Sequence, residues 1–306
     1  MGIETVAQSQ MAPLRGVCFA PGSSDAVASC SGHANGSVCL WDLSNTPIIT
    51  TYISESRKLS GVQVVAMSDD AVLSGWGDGF IRCHDLGGRF AWEIPDAHNS
   101  ARARGCTALH MAHRSPFFVS AGTGGEIRVW DMNTRNLFSS MVLHVAAVND
   151  VLVLQDDVHL VAAGDDKIWT LWDLYGQRNM GSFGHMSQIC VKALATTPDQ
   201  RALITVGLGN RINVWDVGRS NKPVRSVETV HQATMTVAVS HGGGLFATGG
   251  ADAVVRLWDW NSLKCVGEFV GHSGCVNKVA FSADDATLVS VAEDGTMAVW
   301  DVEGAR

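Results

Sequence analysis

Four residue types recur together in this chain at fixed spacing: a histidine, a hydroxyl, an aspartate and a tryptophan. The two complete sets are His231, Thr248, Asp252 and Trp258, followed by His272, Ser290, Asp294 and Trp300. A histidine beside a hydroxyl and a carboxylate is the arrangement used for nucleophilic acyl transfer. An enzyme needs one such set, whereas this sequence repeats it and adds a tryptophan. The pattern therefore favours buried hydrogen-bond chains, which must be satisfied and which rigidify the core around them.

The tryptophan also marks an internal period. Trp-Asp, or His-Asp in one case, recurs seven times at spacings of 42 to 46 residues, beginning at Trp41, His84, Trp130, Trp172, Trp215, Trp258 and Trp300. A period of about 40–45 residues that ends in Trp-Asp is typical of WD40 repeats, in which each repeat makes one four-stranded propeller blade. We therefore predict an all-β fold, with residues 1–306 forming a single closed seven-bladed β-propeller.

The last repeat predicts how the ring closes. Residues 276–281, 288–291 and 297–300 are apolar and strand-like, and Asp294-Gly295 between the last two predicts a hairpin turn. Only "VEGAR" follows Trp300-Asp301, which is too short for a fourth strand. Residues 4–10, "ETVAQSQ", precede the first repeat. We expect this N-terminal stretch to supply the missing outer strand and so to remove an exposed sheet edge.

The other blades carry incomplete sets. Blades three and five have Gly124 and Gly209 where the aspartate is expected, and blade four has Ala162 in place of the hydroxyl. Blades one and two lack the histidine, and Ser29 is the expected hydroxyl of blade one. From the sequence alone, we expect the complete hydrogen-bond chain only in blades six and seven.

Composition excludes several other classes of protein. The net charge of -8 argues against a general nucleic-acid binder, which needs a basic face. No apolar run reaches the ~20 residues of a membrane span, and the N-terminus lacks a secretory signal. None of the eight cysteines forms a C-x-x-C pair, and the remaining histidines lack metal-ligand spacing. We expect no metal, no cofactor and a reducing compartment.

Residues that the repeat does not require are the candidate partner contacts. Trp76 stands where other blades have glycine or alanine. It could anchor a partner, or it could fill the gap left in blade two where His84 replaces the tryptophan. Arg102 and Arg104 lie in a lengthened loop on the same predicted face. This loop is either a site for an acidic partner or simply a solvated loop. Arg57 and Lys58 in the preceding loop extend this predicted basic patch.

Five stretches of the sequence resemble one particular family. They are "LSGWGDGFIRCHDL" (73–86), "DAHNSARARGCTAL" (96–109), "SAGTGGEIRVWDM" (120–132), "TGGADAVVRLWDW" (248–260) and "GHSGCVNKVAFS" (271–282). With these stretches, nearly the whole chain resembles the ciliary WD-repeat family of cilia- and flagella-associated protein fifty-two. Members of that family usually carry two propellers in tandem, and this chain is similar to the second.

The resemblance implies a non-enzymatic microtubule inner protein in the axoneme of cilia and flagella. Such a protein braces the doublet microtubule near its inner junction through contacts with tubulin and neighbouring inner proteins. A second reading is a cytosolic WD40 interaction scaffold, such as a ribosome-associated, G-protein β-like or ubiquitin-ligase receptor protein. A third reading, an enzyme or small-ligand binder that uses the central channel, would need a unique polar cluster there. The sequence shows only repeat-derived residues at that place.

Overall fold

Seven four-stranded antiparallel sheets form the protein. The computed structural model describes residues 5–8, 12–32, 36–54, 60–99, 103–184, 189–217 and 222–303. All 28 named elements in these ranges are β-strands, as the predicted all-β propeller requires. No helix in the described ranges is long and apolar enough to span a bilayer.

Each of the first three blades has four consecutive strands, running from the inner to the outer edge. Blade one comprises β2 (Leu14–Phe19), β3 (Ala26–Ser31), β4 (Ser37–Asp42) and β5 (Ile48–Ser54). Blade two comprises β6 (Val62–Met67), β7 (Ala71–Trp76), β8 (Ile81–Asp85) and β9 (Phe90–Ile94). Blade three comprises β10 (Cys106–Met111), β11 (Phe117–Gly122), β12 (Glu126–Asp131) and β13 (Leu137–Val142).

Blades four to six repeat this order. Blade four comprises β14 (Val148–Val153), β15 (His159–Gly164), β16 (Ile168–Asp173) and β17 (Arg178–Gly184). Blade five comprises β18 (Cys190–Thr196), β19 (Ala202–Leu208), β20 (Arg211–Asp216) and β21 (Arg225–Glu228). Blade six comprises β22 (Thr234–Val239), β23 (Leu245–Gly250), β24 (Val254–Asp259) and β25 (Cys265–Val270).

Blade seven combines strands from the two ends of the sequence. It contains β26 (Val276–Phe281), β27 (Thr287–Ala292) and β28 (Thr296–Asp301), with β1 (Thr5–Gln8) at the outer edge. β1 pairs antiparallel with β28, with Thr5 opposite Val299. The inner strands of neighbouring blades contact one another around the whole ring, including β26 with β2. The ring is therefore closed on its inner side as well.

The core consists of apolar layers between neighbouring blades. One layer brings Val119 and Val129 of blade three against Val151 and Leu160 of blade four. Middle strands are buried on both faces, because a blade lies on each side of them: all six residues of β7 are buried. Outer strands alternate between buried and exposed residues instead. This difference explains the continuous apolar runs before each Trp-Asp pair.

All seven inner strands carry a β-bulge near their upper end. We call the face with the inter-blade loops the upper face, and the face with the turn between first and second strands the lower face. The extra residues are Arg15, Gln63, Thr107, Asn149, Lys192, Met235 and Asn277. A bulge re-aims its side chain out of the regular pleat.

Three of these bulge side chains fasten their blade to the next one. The Asn149 amide donates to the Val191 carbonyl at 2.8 Å, and the Asn277 amide donates to the Leu14 carbonyl at 2.7 Å. The Thr107 hydroxyl donates to the Val148 carbonyl in the same way. Backbone carbonyls at the blade interface are thereby satisfied by a neighbouring side chain.

A second kind of fastening lies on the lower face. Asp157 of blade four accepts hydrogen bonds from the backbone N–H groups of His113, Arg114 and Ser115 of blade three, each at 2.8 Å. Asp285 of blade seven accepts hydrogen bonds from backbone N–H groups of blade six in the same way. Burial alone would raise the pKa of Asp157, but the three N–H donors lower it overall. The carboxylate is therefore ionised when the lower-face loops are joined.

Replacing Asp157 should weaken the whole ring. Asp157→Ala leaves three N–H groups without their charged acceptor, so we expect the free energy of unfolding to fall by about 2–4 kcal/mol. Chemical denaturation followed by tryptophan fluorescence measures this change. Gln155→Ala, at an exposed position of the same turn, is the matched control and should change stability by less than about 0.5 kcal/mol. Equal effects of the two substitutions would contradict the role of the carboxylate.

Candidate functional site

Blade six contains one continuous hydrogen-bond chain. His231 lies between Asp252, at 2.6 Å from Nδ1 to Oδ1, and Thr248, at 3.1 Å from Nε2 to Oγ1. The indole N–H of Trp258 donates to the same threonine hydroxyl at 2.9 Å. Arg256, almost fully buried, donates to Asp252 at 2.6 Å and so neutralises its charge.

Blade seven inserts an additional residue into its chain. His272 Nε2 lies 2.6 Å from the Ser290 hydroxyl, to which Trp300 donates at 2.7 Å. On the other side, the Thr296 hydroxyl lies 2.8 Å from His272 Nδ1 and donates to Asp294 at 2.6 Å. Thr296 was not identified from the sequence, because its position is not one of the four that recur at fixed spacing in the repeat.

Blade three completes its chain with a residue from a different position. Glu126, at the start of β12, lies 2.9 Å from His98 Nδ1. It replaces the aspartate, whose expected position is occupied by Gly124. The Ser120 hydroxyl then receives the Trp130 indole N–H at 2.7 Å and contacts His98 Nε2 at 2.7 Å. The prediction of an incomplete chain in blade three was therefore wrong. The longer glutamate reaches the histidine from two residues further along the chain.

Blade four moves its hydroxyl to the opposite strand. Ala162 on β15 is the direct cross-strand partner of Thr170 on β16. The Thr170 hydroxyl receives the indole N–H of Trp172 at 2.8 Å and lies 3.0 Å from His144 Nε2. The missing serine is therefore replaced across the ladder, and the prediction that blade four lacks a member of the chain was also wrong.

Blade two replaces both the histidine and the tryptophan, and here Trp76 takes a role different from the predicted partner contact. Its side chain is 0% exposed and lies in the apolar layer between blades one and two. Its indole N–H donates to Ser74 at 2.9 Å. Arg82 lies 4.4 Å above the indole ring and donates to Asp78 at 2.8 Å. Trp76 is buried because it fills the space left where His84 replaces the usual tryptophan, so it offers no surface to a partner.

A steric reason links Trp76 to the missing histidine. In blades three and four the equivalent residues are Gly122 and Gly164. A Cβ atom there would lie 2.5 Å from His98 Nδ1 and 3.0 Å from His144 Nδ1, respectively. A histidine in the chain therefore leaves room for only a small residue at this position, which is Ala292 in blade seven. Blade two has no such histidine, so a large side chain fits.

The remaining blades retain the tryptophan contact. In blade one Trp41 donates to Ser29 at 2.9 Å, and in blade five Trp215 donates to Thr205 at 2.9 Å. His185, the predicted histidine of blade five, lies outside the described residues. All seven blades thus pair one indole N–H with one buried hydroxyl.

These chains have the atoms of a catalytic triad without its access to substrate. Burial lowers the pKa of His98, His231 and His272, which favours the neutral imidazole. The hydroxyls of Thr248 and Ser290 are 0% exposed and already accept an indole hydrogen. A nucleophile must reach a reacting carbonyl, and these oxygens are enclosed by their own blade.

The predicted basic patch is only partly within the described residues. Arg104 is exposed, and it forms an isolated antiparallel bridge with Asn99. The base of its loop is held by His98, whose N–H donates to Gly79 of blade two at 2.8 Å. Arg102, Arg57 and Lys58 lie outside the described residues. Arg104 is therefore the member of this patch that the structure places on the upper face.

Other features that would indicate a ligand are small. Two shallow cavities measure about 200 and 240 Å³, below the ~300 Å³ at which ligand pockets usually begin. One lies on the lower face near His113 and His241, and the other lies between Phe138 and Tyr175 at the rim. Within the described ranges, no three His, Cys, Asp or Glu side chains are grouped as metal ligands.

Comparison with known proteins follows the same organisation. The family model of the WD domain, G-beta repeat, matches residues 221–259, from the outer strand β21 of blade five through β24 of blade six, and residues 263–301, from β25 of blade six through β28 of blade seven. Together with the seven sheets of the closed ring and their tryptophan–hydroxyl pairs, these matches identify a seven-bladed β-propeller that contains WD40 repeats.

The chain is similar to curated proteins named cilia- and flagella-associated protein 52. It is 28% identical to the protein of Chlamydomonas reinhardtii over 95% of this chain and 46% of the relative. It is 25% identical to the Homo sapiens protein over 93% of this chain and 45% of the relative. The Mus musculus protein is 28% identical over 75% of this chain and 37% of the relative. The chain thus spans less than half the length of these relatives.

The hydroxyl of blade four provides a test of the tryptophan–hydroxyl pair. Thr170→Val keeps the shape but leaves the Trp172 N–H and His144 Nε2 without a partner, so we expect a loss of about 1–3 kcal/mol in unfolding free energy. Adding Ala162→Ser puts a hydroxyl on the strand position where the six other blades carry it. This second change should recover at least half of the loss in denaturation curves. No recovery would contradict the cross-strand replacement.

The buried position of Trp76 has a different consequence from a surface position. Trp76→Ala opens a cavity between blades one and two, and we expect a loss of about 3–5 kcal/mol in unfolding free energy. Arg104→Ala, on the exposed loop, should change stability by less than about 0.5 kcal/mol. Thermal and urea unfolding of both variants measures this contrast. A stable Trp76→Ala variant would mean that the indole does not fill the blade core.

Proposed function

We propose that this protein is a non-enzymatic structural scaffold of the ciliary or flagellar axoneme. The observation that carries the proposal is the similarity to cilia- and flagella-associated protein 52, which runs along 95% of this chain for the Chlamydomonas reinhardtii relative. It includes blades whose hydrogen-bond chains depart from the repeat. The enclosed hydroxyls of the blade chains support a structural role rather than a hydrolytic one.

We further propose that it is a microtubule inner protein that braces the doublet microtubule near the inner junction. Its partners would be tubulin and neighbouring inner proteins, with no nucleic acid, membrane or small-molecule substrate. The resemblance of the sequence to the ciliary family is the basis for this placement. In a polymer, many modest contacts add up to firm attachment, so no single deep binding site is required.

Exposed apolar side chains around the rim support binding to proteins. Ile48, Phe90, Phe138 and Tyr175 are 55%, 55%, 54% and 60% exposed. Each lies at or close to the start of the outer strand in one of blades one to four, on the lower side of the rim. Three of the four are aromatic, and aromatic side chains provide much of the contact energy in protein interfaces. We call these four residues the rim belt.

The basic patch is proposed as a second contact surface, on the upper face. It consists of Arg104 with Arg102, Arg57 and Lys58. Arginine forks suit carboxylates, and a basic patch on a protein of net charge -8 favours an acidic partner surface. Trp76 is not part of this surface, because its side chain is buried.

Fractionation of cilia or flagella from cells that make the protein tests the proposal. Axonemes are extracted first with detergent and then with high salt, and each fraction is probed for the protein. We expect retention with the doublets in both steps, since contacts inside the doublet are shielded whereas exposed ionic contacts are screened by salt. Release by detergent, or presence mainly in the cell body, would instead support the cytosolic WD40 scaffold.

Matched variants separate the patch from general charge effects. Arg57, Lys58, Arg102 and Arg104 are changed to Ala together, which we expect to reduce retention while leaving thermal unfolding unchanged. The control changes four exposed arginines of the lower face: Arg89, Arg114, Arg135 and Arg178. Normal retention of the patch variant would contradict the proposed contact surface. Equal loss in both variants would indicate a nonspecific effect of charge.

A further inference from the structure

An ion pair crosses the central channel of the ring. Lys278 Nζ lies 3.8 Å from Asp150 Oδ2. Lys278 belongs to β26 of blade seven and Asp150 to β14 of blade four. The neighbours of β26 are β22 and β2, whereas those of β14 are β10 and β18. The two side chains therefore join strands on opposite sides of the ring rather than neighbours within it.

The repeat itself does not require these two charges, so the expectation that the channel holds only repeat-derived residues was wrong. Lys278 and Asp150 each follow the bulge residue of their inner strand. The same position in the other five inner strands is occupied by Gly16, Val64, Ala108, Ala193 and Thr236. None of these five is charged, and none is long enough to cross the channel. One positive and one negative charge thus occur at equivalent positions, and they meet.

The surroundings place the lysine ammonium well inside the channel. Burial raises the pKa of Cys18 on blade one to about 12, and the Lys278 charge opposes this rise. Burial also lowers the pKa of His110 on blade three to about 4, and the Lys278 charge contributes to that shift. The Lys278 charge, carried by blade seven, therefore influences groups on the inner strands of blades one, three and four.

Asp150 is held in place by a further blade. Its Oδ2 accepts a hydrogen bond from the Leu194 N–H of blade five at 2.9 Å. Lys278 retains 36% exposure and Asp150 15%, so solvent screens the pair in part. The pair therefore contributes modestly to total stability. Its main effect should come from its position across the channel.

We propose that Lys278 and Asp150 form a tie across the central channel that keeps opposite sides of the propeller at a fixed separation. Neighbouring blades are joined by apolar layers and by the fastenings to backbone groups, which act between adjacent blades only. A ring joined in this way can still become oval through small changes at many interfaces. A tie across its diameter opposes that motion directly. The inference is independent of where the protein works in the cell.

Amide hydrogen exchange on a double-mutant cycle tests the tie. The variants are Lys278→Met, Asp150→Asn and the two combined. The asparagine oxygen can still accept from Leu194, so its hydrogen bond is kept. We expect each single variant to exchange protected amides of both β14 and β26 about two- to fivefold faster, in the range of a partly exposed ion pair. The combined variant should exchange no faster than the singles, because both remove one interaction.

Two controls make the result specific. Lys278→Arg keeps the charge and should leave exchange as in the unchanged protein. Lys192 and Asp165 form an ion pair at 2.7 Å between the adjacent blades five and four. Lys192→Met should affect exchange there and leave β26 unchanged. Any of three results would overturn the tie. The first is faster exchange in only one of β14 and β26, and the second is a combined variant whose effect is the product of the two single effects. The third is an arginine variant that behaves like the methionine variant.

Discussion

Each blade must satisfy one tryptophan indole N–H within an apolar layer, and the rest of the sheet is arranged around this requirement. A buried N–H without an acceptor costs about 1–3 kcal/mol, and this structure would incur that cost seven times. The acceptor is always a buried hydroxyl, and the seven are Ser29, Ser74, Ser120, Thr170, Thr205, Thr248 and Ser290. In blades three, four, six and seven a histidine contacts this hydroxyl, and the other ring nitrogen of the histidine contacts a carboxylate or, in blade seven, a threonine.

The period, the number of blades and the strand positions could be predicted from the sequence, because they depend on spacing along the chain. β26 has the predicted bounds, and β27 and β28 each extend one residue beyond the prediction at both ends. The chains of blades three and four could not be predicted in this way. Thr170 replaces Ala162 from the opposite strand, and Glu126 replaces Gly124 through its longer side chain. Such exchanges depend on ladder register and side-chain reach, which sequence offsets do not contain.

Trp76 shows the limit of the same reasoning in the opposite direction. Its position differed from the repeat, and a residue that departs from a pattern suggested a functional surface. The departure is instead compensated within the blade, by Arg82 above the indole ring and by the absence of the histidine that would occupy the space. A residue that departs from a repeat should therefore be checked for a compensating departure in the same blade before it is assigned to a partner contact. Arg104, in contrast, is exposed on the surface.

The fastenings between adjacent blades have a consequence for how this sequence can change over time. Asn149, Asn277 and Asp157 each bind main-chain groups of the next or preceding blade. Main-chain groups are the same whichever amino acids occupy the neighbour. Each repeat can therefore accumulate substitutions without a matching substitution in the adjacent repeat. Lys278 and Asp150 are different, because a charge can be matched only by its opposite, and these two positions are free to vary only together.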